Sequence, residues 1–139
     1  MQVDASILKR ISEELMSGFN VFLHRETSEV VTIRDTDLFM DEEDPWGDDR
    51  KKVDTERDMY LEFEPMESRD SYRMMQDFIN QLDDARLADR LANAIEKKRP
   101  FAHFKAEIDN SGPYREKWFQ FRDQSYLEWA KEQWEAQLQ

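Results

Sequence analysis

Six carboxylates stand close together in the middle of the chain, and carboxylate oxygens are the ligands that hard divalent cations prefer. An EF-hand loop needs acids at its first, third and fifth positions. Neither register fits, because Trp46 takes the third position after Asp44 and Phe39 takes the fifth after Asp35. Charge runs are more often solvated than ligating. We therefore expect a solvated loop without a metal ion; its acids are Asp41, Glu42, Glu43, Asp44, Asp48 and Asp49.

Other routes to catalysis lack their usual residues. A metal-dependent nuclease needs a Glu/Asp-x-Lys motif on a strand, whereas Asp49-Arg50-Lys51 falls in the acidic loop and Glu96-Lys97-Lys98 at a helix end. His24 and His103 are too few for a histidine zinc site unless carboxylates join them, although each could act alone as a general base. The chain has no Gly-x-Ser-x-Gly motif and no glycine-rich phosphate loop. We expect no catalytic residue and no cofactor.

The last predicted helix carries more aromatic residues than one buried stripe requires. Phe119 lies about 160° from Phe121 on a helical wheel, so the two rings cannot face the same core. Trp118, Phe121 and Trp129 are assigned to the core. The candidate interaction surface consists of Arg115, Phe119, Arg122 and Trp134. An exposed cationic and aromatic patch suits an acidic peptide or single-stranded nucleic acid, unless the cationic stems only cover apolar surface.

The first half of the chain supplies a small sheet. Apolar residues at helical spacing predict a first helix over residues 4–16. A long acidic loop is expected over residues 35–58, where apolar residues are few. Three segments rich in strand-forming residues predict a hairpin and a third antiparallel strand: residues 19–24, 29–33 and 59–63.

The second half of the chain is predicted to be helical. Helical periodicity, capping residues and turn signals divide it into residues 68–82, 84–98, 101–108 and 114–138. The short third helix of this set is expected to bury Phe101, Phe104 and Ile108 on one side. The fold class is therefore α+β, with about three antiparallel strands and four or five helices.

Composition limits the partners. The 139 residues include 32 acids and 20 bases, for a net charge of -12, and no cysteine. A surface of this charge repels phosphate backbones, so direct binding of duplex nucleic acid is not expected. The lack of cysteine fits a reducing, cytoplasmic location, and no apolar run is long enough to span a membrane. A chain of this length favours a single domain over residues 1–139.

The order of several short motifs resembles a known family. Glu67-Ser68-Arg69 leads into Met75-x-x-Phe78-Ile79, and Phe101-x-x-Phe104-Lys105 and Trp118-Phe119-x-Phe121 follow. This arrangement is similar to uncharacterised protein family 0158, a family of small acidic bacterial proteins, from about Ile7 to Trp134. The resemblance implies a single domain of bacterial origin, and it implies no activity, substrate or catalytic residue.

These observations favour a non-enzymatic, acidic interaction module whose partner is another protein. The C-terminal aromatic helix is the first candidate surface, and the acidic loop of residues 35–58, which suits a basic partner, is the second. A different version of this class is a DNA mimic, whose carboxylates imitate phosphate spacing and compete for a basic partner. The alternative from another class is a small metal-dependent hydrolase that uses carboxylates of residues 41–49 with His24 or His103. The sequence does not identify the partner or the oligomeric state.

Overall fold

The computed structural model describes residues 4–34 and 45–138. These residues form three antiparallel strands and six α-helices, which confirms the predicted α+β class. A 3₁₀ turn at Arg57–Met59 precedes the third strand. In chain order the elements are α1 (Ala5–Met16), β1 (Asn20–His24), β2 (Val30–Ile33), α2 (Gly47–Thr55), β3 (Tyr60–Phe63), α3 (Ser68–Asn80), α4 (Ala85–Ile95), α5 (Pro100–Asp109) and α6 (Tyr114–Gln137).

The loop predicted over residues 35–58 contains a helix in its second part. α2 occupies Gly47–Thr55, while residues 35–44 lie outside the described part of the chain. Val53 is the one buried residue of this helix, so there is no apolar stripe by which periodicity could reveal it. The charges at its ends do favour a helix, because Asp48 and Asp49 stand in the first turn and Lys52 in the last.

The internal contacts divide the chain into two compact units. The sheet unit comprises Met1–Pro65 and Tyr126–Gln139, and the helical unit comprises Met66–Ser125. α6 therefore contributes its first half to the helical unit and its second half to the sheet unit. The single-domain interpretation stays a prediction.

In the sheet unit, β1 lies between β2 and β3. Phe22, Val31 and Tyr60 lie in one buried cluster with Ile33 and with Val53 of α2, and Trp46 packs against this cluster. Side chains alternate along a strand, so the neighbouring positions face the other way. These are fully buried as well: Val21, Leu23, Leu61 and Phe63. The sheet thus has two buried faces, which explains why its short strands are apolar almost throughout.

The outer edge of β3 is covered by side chains of α6 instead of by another strand. Alternate residues of an antiparallel strand turn their backbone groups away from the neighbouring strand. For Glu62, the N–H donates to Gln137 Oε1 at 2.7 Å and the carbonyl accepts from Gln137 Nε2 at 2.8 Å. Gln133 pairs with Glu64 in the same way, at 2.9 and 3.1 Å. Trp129 Nε1 donates to the same Glu64 carbonyl at 2.8 Å.

This pairing is possible because the distance between the two glutamines along α6 is close to the distance between the two glutamates along the extended chain. Gln133 and Gln137 are four residues apart, which is about 6 Å along a helix. Glu62 and Glu64 are two residues apart, which is about 6.8 Å along a strand. A primary amide has both an acceptor and a donor, so each glutamine imitates one residue of a missing fourth strand.

The helical unit is built around an aromatic cluster. Phe78 of α3 contacts Phe104 of α5 and Trp118 and Phe121 of α6, with ring centroids 6.4, 5.2 and 5.4 Å away. Phe104 and Trp118 are also in contact, at 4.7 Å. Offset and edge-to-face pairs of this kind add stabilisation to that of burial. The cluster holds three helices together through four side chains.

We predict that replacing Gln137 by alanine lowers the free energy of unfolding by about 1–2 kcal/mol, because a partly buried N–H and carbonyl of Glu62 lose their partners. The Gln133→Ala variant should lose less, since its bonds to Glu64 are exposed and water can replace them. Equilibrium denaturation measures both. Gln120→Ala, an exposed position of the same helix, is the control. A Gln137 variant as stable as this control would contradict the strand-mimic interpretation.

Candidate interaction surface

Three of the four predicted surface residues come together on α6. Arg115, Phe119 and Arg122 follow the i, i+4, i+7 spacing of one helix face. The guanidinium carbons of Arg115 and Arg122 lie 4.6 and 4.9 Å from the centroid of the Phe119 ring. The ring is half-buried, and each contact is of the kind worth about 0.5–1 kcal/mol at an exposed site. We call these three residues the arginine–phenylalanine surface.

Carboxylates hold both guanidinium groups in place. Arg115 Nε lies 3.2 Å from Asp109 Oδ1, and Arg122 Nη2 lies 3.1 Å from Asp123 Oδ1. A guanidinium has five N–H donors, so an ion pair through one oxygen does not exhaust it. Within the described residues, the terminal nitrogens of Arg115 have no hydrogen-bond partner. They remain available to an external acceptor.

The beginning of α6 is tied to the turn before α4. The Tyr114 hydroxyl donates to Asp83 Oδ1 at 2.8 Å, and Lys117 Nζ lies 4.8 Å from the centroid of the Tyr114 ring. The hydrogen bond lowers the pKa of the Asp83 carboxyl, and the charge of Lys117 lowers it further. The same hydrogen bond raises the pKa of Tyr114. These contacts fix the first turn of the helix that carries the surface.

Trp134 does not belong to this surface. Its side chain is 0% exposed and packs edge-on against Phe63 at 6.1 Å, within the sheet unit. The prediction that Trp134 is exposed is therefore wrong. The prediction failed because the two halves of α6 belong to different units, so one helical wheel cannot describe the environment of both halves.

A second aromatic residue differs from its prediction in the opposite direction. Phe101 was expected in the core with Phe104 and Ile108, but it is 41% exposed whereas those two are buried. It lies in the first turn of α5, at the margin of the buried stripe. The sequence does contain a signal for this, since three cations, Lys97, Lys98 and Arg99, lie within four residues before it.

His24 serves the hairpin turn. Its Nδ1 accepts the backbone N–H groups of Glu26 and Thr27, both at 3.1 Å, which places the proton on Nε2. Nε2 then donates to Glu56 Oε2 at 3.3 Å. Both ring nitrogens are thus occupied by contacts at the hairpin end of the sheet. A general-base role for His24 does not fit this arrangement, while His103 is an exposed residue of α5.

Tyr60 lies beside His24 with its ring centroid 5.0 Å away. The residue is 6% exposed, and its hydroxyl has no hydrogen-bond partner among the described residues. Burial raises the pKa of Tyr60, because the phenolate loses its hydration. Nearby, a hydrogen bond to Glu29 raises the pKa of Lys52. The His24–Tyr60 ring contact and the Lys52–Glu29 ion pair both lie in the sheet unit.

The acids of the predicted charged loop fall partly outside the described residues. Asp41, Glu42, Glu43 and Asp44 are not described, and Asp48 and Asp49 lie in the first turn of α2. Over residues 4–34 and 45–138, no three histidine, aspartate or glutamate side chains are placed to share a metal ion. Over the same ranges, no helix has the length and apolar character needed to span a membrane.

A groove on the sheet unit is lined by both acidic and basic side chains. It lies between the sheet and α2, with Phe22 and Ile33 at its floor. Arg57 at its rim pairs with Asp54 at 3.1 Å and with Glu62 at 3.2 Å. Acids outnumber bases in its lining and its aromatic residue, Phe22, is buried, so the groove offers less to an acidic partner than the arginine–phenylalanine surface does.

The fold and surface therefore define a small acidic α+β protein with a local cationic and aromatic patch. The chain belongs to uncharacterised protein family UPF0158, whose family model matches residues 11–138. It is similar to the UPF0158 protein PA5073 of Pseudomonas aeruginosa, with 26% identity over 78 residues. The match covers 56% of this chain and 51% of that relative, so the chain matches about half of the relative's length. No solved structure matches.

We predict that Trp134→Ala lowers the free energy of unfolding by about 3–5 kcal/mol, because it removes a fully buried indole. Phe119→Ala should cost about 1–2 kcal/mol, since its ring is only partly buried and loses mainly the two arginine contacts. Denaturant unfolding of both variants checks the difference. Equal losses would mean that Phe119 is a core residue.

We predict that Tyr60→Phe leaves stability at neutral pH unchanged or higher, because the hydroxyl is buried without a partner among residues 4–34 and 45–138. The raised pKa adds a pH effect: above about pH 10 the unfolded chain loses this proton first, so folding stability falls as pH rises. The variant should lack this part of the alkaline decline. Unfolding measured between neutral pH and pH 11 checks both expectations, and a loss above about 1 kcal/mol at neutral pH would reveal a partner for the hydroxyl.

Proposed function

We propose that the protein is a non-enzymatic interaction module that binds an acidic segment of another protein through the arginine–phenylalanine surface. The observation that carries this proposal is the position of Phe119, partly exposed and flanked by Arg115 and Arg122. Aromatic residues and arginine are enriched at protein interfaces, and both are frequent among residues that dominate binding energy. Uncharacterised family membership is consistent with this role and does not assign it.

The chemistry of the surface indicates the kind of partner. Arginine binds carboxylates in a planar, bidentate geometry, whereas a lysine acts as a point charge. The ion pairs to Asp109 and Asp123 orient the two guanidinium groups before a ligand arrives, which lowers the entropic cost of binding. The ring of Phe119 adds an apolar contact between them. A short acidic peptide with an apolar side chain matches this combination.

The overall charge makes the position of this surface important. With a net charge of -12, most of the protein repels an acidic partner, so binding depends on the local cations. Such a contrast favours one orientation of the partner and disfavours the others. The absence of cysteine supports a reducing compartment, and we place the interaction in the cytoplasm as part of the same proposal.

The test is affinity capture from an extract of the native cells with four versions of the full chain. Wild type and Arg86→Ala, an exposed arginine of α4, should retain the same partner. Phe119→Ala and the double variant Arg115→Ala, Arg122→Ala should lose it while remaining folded. Identical capture by all four folded proteins would overturn the proposal.

The charge of the partner is tested separately. A partner bound through carboxylates should be released as the salt concentration rises, because exposed charge interactions are screened over about 8 Å at physiological ionic strength. Binding should also weaken when acidic residues of the captured segment are replaced by their amides. A basic partner, or one whose binding does not depend on salt, would contradict an acidic ligand.

A further inference from the structure

The connection between α4 and α5 carries a concentration of positive charge that the proposed function does not use. Lys97, Lys98 and Arg99 are consecutive, and Lys105 follows on α5. No acid occurs in residues 97–106, although the whole chain has a net charge of -12. All four cations are exposed. We call residues 97–105 the basic segment.

Over residues 4–34 and 45–138, no carboxylate is placed to pair with the cations of this segment. Within the described part of the chain, none of its four cations makes an ion pair, and none has a cation–π contact. Arg115 and Arg122, by contrast, are held by Asp109 and Asp123. The basic segment is therefore a local cluster of positive charge that is available to an external anion.

The basic segment also contains an exposed aromatic ring. Phe101 is 41% exposed, and among the described residues it makes no ring contact and no cation–π contact. Burial of this ring against a ligand would favour binding, because it removes apolar surface from water. Lys105 follows Phe101 by four residues and so lies on the same side of α5.

The ring and the charges have a rigid support. Phe104 and Ile108 of α5 are almost fully buried, and Phe104 contacts Phe78 and Trp118. Pro100 occupies the first turn, where its fixed φ suits the helix. Phe101 is thus displayed by a packed helix and not by a loose loop.

We propose that the basic segment binds single-stranded nucleic acid, with one base stacked on Phe101 and phosphates bound by Lys97, Lys98, Arg99 and Lys105. Proteins that bind single strands combine positive charge along the backbone with aromatic rings on which bases stack. A duplex fits less well, because its bases are already stacked and both its phosphate strands would approach an acidic protein.

The composition of the basic segment also makes an acidic peptide a poorer ligand than a single-stranded nucleic acid. Three of the four cations are lysines, which bind phosphate well but lack the planar fork that recognises a carboxylate. The uncovered face of Phe101 provides stacking that a carboxylate does not need. At the arginine–phenylalanine surface the situation is reversed, since two guanidinium groups lie against the ring of Phe119.

Fluorescence anisotropy with the full chain tests the proposal, using a labelled oligouridylate of about twelve nucleotides as the probe. Wild type should bind at low salt, and Phe101→Ala should weaken binding by about fivefold or more. Phe101→Leu keeps an apolar side chain without a ring, so it should weaken binding similarly while preserving the fold. Lys97→Ala with Lys98→Ala should reduce the slope of log K against log salt from about -2.8 to about -1.4.

The controls separate this site from the proposed protein-binding surface. Phe119→Ala and the double variant Arg115→Ala, Arg122→Ala should bind the oligonucleotide as wild type does. A duplex of equal length and a poly-glutamate peptide should bind at least tenfold more weakly than the single strand. Absence of oligonucleotide binding, equal affinity for duplex or poly-glutamate, or full affinity in the Phe101 and lysine variants would overturn the proposal.

Discussion

The free edge of β3 is the constraint on which the sheet unit depends. A sheet of three short strands is close to the smallest that is stable, and each of its edge strands exposes backbone groups that need partners. These groups belong to Glu62 of β3 and to Glu64, the residue directly after β3, and the amides of Gln137 and Gln133 satisfy them. A helix thereby completes the hydrogen bonding of a strand without adding a fourth strand.

The second half of α6 performs two tasks with two adjacent stripes. Tyr126, Ala130 and Trp134 recur every four residues and are buried. Trp129, Gln133 and Gln137 form the neighbouring stripe, at the same spacing, and hydrogen-bond to β3. The apolar stripe packs the helix against the core, and that packing holds the polar stripe at the distance its hydrogen bonds require. Covering the edge is also a protection against pairing with strands of other chains.

Whether a helix or strand could be predicted from the sequence depends on whether it carries a local apolar pattern. The three strands and the amphipathic helices have apolar periodicity, and they appear within a few residues of their predicted positions. α2 has one buried residue, Val53, and therefore leaves no such pattern. The glutamine pairing depends on a match between helix and strand that are about 70 residues apart in sequence, as for Glu62 and Gln137. Local patterns carry no information about it.

Prediction of the candidate surface meets the same limit, because local spacing does not show which side chains other elements cover. Arg115, Phe119 and Arg122 could be grouped from sequence because helix spacing alone brings them together. Trp134 shares their helix, yet its burial is decided by Phe63 of β3. Phe101 shares a helical stripe with Phe104 and Ile108, yet it stands in the first turn, where fewer neighbouring elements can cover it. Periodicity predicts the direction of a side chain but not whether another element covers it.

Net charge is a poor guide to recognition by this protein, because its cations are arranged in two different ways. At the arginine–phenylalanine surface, carboxylates orient the guanidinium groups, and these lie against the Phe119 ring. The N–H donors of the guanidinium groups are therefore the main feature that a ligand meets, and the ring contributes less. In the basic segment the cations have no such partners among the described residues, and the ring of Phe101 is open. Oriented guanidinium groups favour a ligand with a defined carboxylate geometry, whereas unpaired lysines and an open ring favour a flexible polyanion with flat groups. A total of -12 describes neither environment, since exposed charges act over about one Debye length and each patch is governed by its own neighbours.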